Sequence, residues 1–178
     1  FVESEVSKVW GTPKRRALEV KCYSQDSEFR DFRATMLPTM DAVPFDIGEQ
    51  AHRNRFRNIR KTVPTDDTAA QAAYKNNGFK NTVEDSEIAH LGSYSGECVA
   101  TLRGSIFAGY SPNGNRHKNV RLISSASRTH HIIVGTAGAA ANPDGYTLDG
   151  VECIGATSSG RSLKVAAGGG RGCLIGGE

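Results

Sequence analysis

A series of short apolar stretches separated by turn signals constrains this chain more than any other feature. Residues 86–91, 97–102, 105–110, 119–124 and 129–136 each read as a strand, and Ser111-Pro112-Asn113-Gly114 is a turn between two of them. Glycine reaches 20 of 178 residues while aromatic residues are few, so loops and turns take up much of the length. That length suits one domain with a modest core. No apolar run approaches the roughly 18 residues that span a bilayer, so a soluble chain without a membrane span is expected.

Residues 17–23 alternate like a half-buried strand. Ser24 to Ser27 then offer N-caps, and Glu28 and Asp31 place negative charge in a first helical turn. Phe29, Phe32, Arg33, Met36 and Leu37 follow with helical spacing until Pro38, which predicts the main helix. A shorter Ala-rich helix is predicted over 68–75, closed by Asn76-Asn77-Gly78. Three parts result: an N-terminal arm or edge strand over 1–16, a domain over 17–155, and a Gly-rich C-terminal tail over 156–178.

The net charge of +3 is mild, so its placement matters more than its size. Arg53, Arg55 and Arg57 recur at period two and would share one face of a strand, with Arg60 and Lys61 close behind. A solvated face or an edge guarded against aggregation is the plain account. A stripe that tracks phosphates is the sharper one, because guanidinium groups grip phosphate oxygens in pairs. Arg116, His117 and Lys118 form a second basic tip.

Cys22, Cys98, Cys153 and Cys173 contain no Cys-x-x-Cys pair. That spacing suits zinc poorly and allows two disulfides, in any of three connectivities. A secreted protein is therefore preferred over a cytosolic one with free thiols. The start at Phe1, without Met or a leader, is read as a processed secretory product. The histidines lack metal-ligand spacing, and no cofactor or metal is expected.

Glu97 stands on an apolar stretch, and Arg121 stands on the stretch beyond the turn. A carboxylate facing a fixed cation could cleave a phosphodiester by acid–base chemistry, one group moving a proton and the other holding charge. A simple cross-strand ion pair is the competing account.

Taken in order, several segments resemble the small secreted guanyl-specific ribonucleases of fungi. They are Cys22-Tyr23-Ser24, the strand around Glu97, Gly104 to Gly109, Ser111 to Gly114, Val120-Arg121-Leu122-Ile123, Ile132 to Ala139 and Val151-Glu152-Cys153. The resemblance implies an α+β fold, with one main helix packed on a central antiparallel sheet. It implies a Cys22–Cys153 disulfide, with Cys98 and Cys173 as the remaining pair. Glu97 would be the general base and Arg121 the anchor of charge on phosphorus. His90 would supply a second acid or base in one register; in the other, Tyr74 to Phe79 matches the guanine-binding segment and alanine takes the histidine's place.

The family carries its general acid where this chain has Thr136 or Gly135, neither of which can protonate a leaving oxygen. Loss of a positioned acid costs about 10²–10⁴-fold in rate. The chain is therefore similar to the ribonuclease-like secreted effectors of plant-pathogenic fungi. The expectation is a catalytically degenerate, monomeric effector, delivered into host cells, that binds RNA or a host protein through its basic surface. An active metal-free endoribonuclease making 2′,3′-cyclic phosphates is the alternative.

Overall fold

The computed structural model describes residues 5–6, 18–20, 24–35, 45–48, 51–66, 72–93, 98–102, 114–125, 130–134, 146–165 and 172–177. Among them there is no helix. The chain alternates between two sheets. Sheet A receives β1 (Glu5–Val6), β3 (Glu28–Arg30), β4 (Arg33–Thr35), β6 (Arg55–Arg57), β7 (Arg60–Val63), β9 (Thr82–His90), β11 (Arg116–Ser124), β13 (Tyr146–Ile154) and β15 (Gly172–Gly177). Sheet B receives β2 (Leu18–Val20), β5 (Phe45–Ile47), β8 (Tyr74–Asn76), β10 (Cys98–Leu102), β12 (His130–Val134) and β14 (Leu163–Val165).

Every strand pairing among the described residues is parallel. The chain visits the opposite sheet before returning, so each new strand runs in the direction of the last. The molecule is a parallel β-solenoid, each rung adding one layer to both sheets. Glu28, Arg55, Thr82, Arg116, Thr147 and Cys173 stand in one column, so successive rungs take 27, 27, 34, 31 and 26 residues.

This architecture corrects the expected α+β fold of one main helix on an antiparallel sheet. The segment predicted as that helix folds instead into β3 and β4, with Asp31 between them in the left-handed backbone region (φ 57°). Each later rung repeats the kink at Asn58, Asp85, Asn119, Gly150 and Gly176, all at positive φ. Asn, Asp and Gly are the residues that visit this region at least cost. The kink resets the in–out alternation of the strand, so inward residues stand three apart across it: Phe29 and Phe32, Phe56 and Ile59, Val83 and Ser86, Leu148 and Val151. Spacing of three imitates a helix in sequence, and this misled the prediction at Phe29 and Phe32. The second predicted helix ends in a strand, β8, while 67–71 lie outside the described residues.

Inward side chains of both sheets form one core. Like residues stack from rung to rung: Phe29 on Phe56 at 5.0 Å between ring centroids, and Phe45 on Tyr74 at 4.8 Å. These distances match the spacing of paired strands. Phe45 meets Phe56 edge-on across the interior at 5.3 Å and joins the sheets. Burying each such ring contributes about 2–3 kcal/mol. The Gly-rich stretch after residue 155 supplies β14 and β15, which pair with β12 and β13.

One corner of the rungs is closed by an asparagine ladder. Asn54 Oδ1 accepts the Ser27 N–H at 3.1 Å, Asn81 Oδ1 accepts the Asn54 N–H at 3.0 Å, and Asn115 Oδ1 accepts the Asn81 N–H at 2.9 Å. Their amide groups donate to the carbonyls of Ser24, Ala51 and Gly78, at 2.9, 2.8 and 2.7 Å. Corner N–H groups that no strand pairs are thus satisfied by side chains. Gly78 sits so close that a Cβ there would collide with the Ala51 carbonyl oxygen and Asn81 Nδ2.

Candidate functional site: the outer face of sheet A

Strands of sheet A send alternate side chains outward, and parallel register stacks them into columns. The first column runs Glu28, Arg55, Thr82, Arg116 and Thr147; the second runs Arg30, Arg57, Glu84, Lys118 and Asp149. Beyond the kink stands a third, Arg33, Arg60, Glu87, Arg121 and Glu152. Arg55 and Arg57 come from one basic run, and Arg116 and Lys118 from another some sixty residues away. The solenoid brings all four onto one face, with the Thr82–Glu84 segment between them.

Carboxylates punctuate this basic face. Arg55 contacts Glu84 at 2.5 Å, and Arg57 lies 3.8 Å from Glu84 and 3.4 Å from Asp85. Arg116 pairs with Asp149 at 2.8 Å, and Arg53 with Asp26 at 2.6 Å. The hydrogen bond from Arg53 holds the Asp26 carboxyl below its ordinary range, and the bond to Glu84 holds the Arg55 guanidinium above its own. The arginines of these pairs are exposed and screened by solvent, while Glu84 is buried, so the pairs order the face more than they stabilise the fold.

At the kink, Arg30, Asp31, Arg57, Asn58 and Asp85 line an open cleft of about 340 Å³. Asn58 Nδ2 donates to Asp31 Oδ1 at 2.6 Å, and Asn119 Nδ2 donates to Asp85 Oδ1 at 3.1 Å. The kink column is therefore both a bend in the backbone and a row of fixed polar groups.

The residues expected to act are distributed differently. Glu97 and Cys22 lie outside the described residues. Arg121 is exposed in the third column and pairs with Glu87 at 2.6 Å and Glu152 at 3.1 Å. His90 is fully buried near the end of β9. Arg60 is exposed and 3.9 Å from Glu87. Cys153 carries a free thiol whose pKa burial raises. Cys98 and Cys173 fall on β10 and β15.

Two residues assigned to the basic surface point inward. His117 lies opposite Arg116 and Lys118 on β11, where its Nε2 meets the Tyr74 hydroxyl at 2.9 Å. Burial lowers its pKa to about 4. Lys61 is buried in register between Ala34 and Ile88, with its ammonium 4.6 Å from the Phe32 ring centroid. Its amine has no hydrogen-bond partner among the described residues, and burial lowers its pKa to about 7.

Sequence reading missed Arg30, Asp31, Asn58, Glu84 and Asp85. The signal for them was an internal repeat. Arg53-Asn54-Arg55-Phe56-Arg57-Asn58, Lys80-Asn81-Thr82-Val83-Glu84-Asp85 and Gly114-Asn115-Arg116-His117-Lys118-Asn119 share one pattern of ladder Asn, inward residue and kink Asn or Asp.

Fold and face together define a parallel β-solenoid with a columned, mixed-charge lateral surface. No family model, curated protein or solved structure matches the chain. Among the described residues no group of three or more His, Cys, Asp or Glu could hold a metal ion, and no helix is long and apolar enough to cross a membrane.

Proposed function

We propose that the protein is a binding module whose outer sheet A face engages an extended anionic polymer, RNA included. The observation that carries this reading is the convergence of Arg55 and Arg57 with Arg116 and Lys118 on one outward surface. A stack of rungs presents equivalent side chains at regular intervals along its axis, which suits a repeating ligand lying across the columns. Guanidinium and ammonium groups supply the attraction, and the interleaved carboxylates set how densely charged a partner the face tolerates.

The test is binding of single-stranded RNA and of a sulfated polysaccharide at increasing salt. Affinity should fall steeply with salt, and the double reversal Arg55→Glu, Arg116→Glu should flatten that dependence. Salt-insensitive binding, or none at low salt, overturns the reading and turns attention to an uncharged or protein partner.

A further inference from the structure

The kink cleft differs from the rest of the face in one respect: it combines a cationic wall with hydrogen-bond acceptors on its floor. Arg30 and Arg57 stand in register on successive rungs, and beside them Asp31, Asn58 and Asp85 form the kink column. Among the described residues the closest approaches of Arg57 to a carboxylate are through Nε, at 3.4 Å from Asp85 and 3.8 Å from Glu84. Its two terminal amino groups form a second, paired donor edge, the geometry that matches a carboxylate. Asn58 spends its amide nitrogen on Asp31 and leaves Oδ1 as an acceptor. Asp85 takes the Asn119 amide on Oδ1 and retains Oδ2 on the side of Arg57.

We propose that this cleft is a subsite for one carboxylated sugar unit of an acidic polysaccharide. Arg57 grips the carboxylate, while Asn58 and Asp85 accept hydrogen bonds from ring hydroxyls. The assignment rests on the reading of the outer face as a polymer-binding surface and narrows its ligand.

Three observations favour a sugar acid over a nucleotide. The volume of about 340 Å³ falls at the small end of ligand-sized pockets and suits a single saccharide unit. The five residues that line it include no aromatic ring, so a nucleobase finds no stacking platform there. The lining holds two arginines against two aspartates, so donors for a carboxylate stand beside acceptors for hydroxyl groups. A polymer rich in hydroxyls, with one carboxylate per unit, meets the same balance as donors matched to acceptors.

The experiment is calorimetric titration of the full chain with short oligomers of galacturonic acid, neutral galactose oligomers of equal length, and poly(U) RNA. The uronate should bind at least about tenfold more tightly than the neutral sugar, and Arg57→Gln should remove about that factor. Arg57 is exposed, so its replacement leaves the core intact, and an unchanged thermal melt confirms this. Asn58→Gly keeps the left-handed backbone while deleting the acceptor, and should weaken the uronate severalfold. Equal affinity for neutral and acidic sugars overturns the proposal. So does poly(U) binding that matches the uronate and responds equally to Arg57→Gln, although the polymer reading then stands. Failure of uronate and poly(U) alike at low salt sinks both.

Discussion

Asn115 holds Asn81 across a rung boundary: its side-chain oxygen accepts the Asn81 backbone N–H at 2.9 Å, and Asn81 repeats the bond to Asn54 at 3.0 Å. Asn81→Ala would leave the Asn54 N–H unpaired in a buried corner and take one of two donors from the Ala51 carbonyl, which keeps the Phe79 N–H at 3.2 Å. The expected loss is about 2 kcal/mol, since one orphaned buried group costs about 1–3 kcal/mol. Urea denaturation of the variant beside wild type measures it. A change below half a kcal/mol would mean that the ladder is decoration.

Gly78→Ala tests the same corner from the other side. The new methyl group would be driven into the Ala51 carbonyl oxygen and the Asn81 amide. Overpacking of this kind costs about 1–3 kcal/mol, and here it should also disrupt the ladder bond from Asn81. The readout is the thermal midpoint, with amide exchange at Asn54 and Asn81 reporting whether the damage stays local.

Lys61 makes stability depend on pH on the alkaline side of neutrality. The unfolded lysine holds its proton up to pH 10.5, while the buried one gives it up near pH 7. Between those values the unfolded chain binds more protons, so stability falls as pH drops toward 7, by up to about 1.4 kcal/mol per pH unit. Lys61→Met should remove this component and be the more stable form at pH 7. Denaturant midpoints of both proteins at neutral and mildly alkaline pH decide it, and parallel curves would refute it.

His117 acts in the same sense at acid pH. Its unfolded pKa of 6.5 falls to about 4 in the fold, so the stability it contributes is complete above pH 6.5 and is lost on descending toward pH 4. The double variant His117→Leu, Tyr74→Phe removes the buried polar pair as a unit. Its loss of stability between neutral pH and pH 4 should be smaller than that of wild type, as read by fluorescence-monitored urea melts.

Glu84 is the counter-charge of the basic face, contacting Arg55 at 2.5 Å and Arg57 at 3.8 Å. Glu84→Gln frees two guanidinium groups and should strengthen binding of single-stranded RNA severalfold at low salt. The logarithmic salt slope should steepen by about one phosphate contact. Unchanged affinity would show that these arginines do not meet the polymer.

Several strands were legible in the sequence, because alternation and turn chemistry are local properties. The stretches read at 97–102, 119–124 and 129–136 overlap β10, β11 and β12. The shared outward face of Arg55 and Arg57 was legible for the same reason, with Phe56 buried between them. The helix reading failed at Phe29 and Phe32 because a left-handed residue between two strand halves reproduces helical spacing. Nothing within that window separates the two cases. Only comparison with the windows at Phe56–Ile59 and Val83–Ser86, one rung further each time, does so.

The candidate site was half visible. Its cations were found as two separate basic runs. Their carboxylate neighbours Glu84 and Asp85 are hidden, because nothing in the chain between Arg57 and Glu84 announces that they touch. Residue type alone marks His117 and Lys61 as surface charges, yet the parity of their strands turns them inward.

By itself the sequence determined the local grammar: which short stretches are extended, where Asn, Asp and Gly bend the backbone, and which side chains alternate. Pairing direction, the stacking of equivalent positions into columns, and the meeting of Arg57 with Asp85 were decided by the tertiary structure. The physical reason is range. Alternation and left-handed bends are fixed within a few residues, whereas columns exist only after the chain has closed a rung of about thirty residues and laid one turn upon the next.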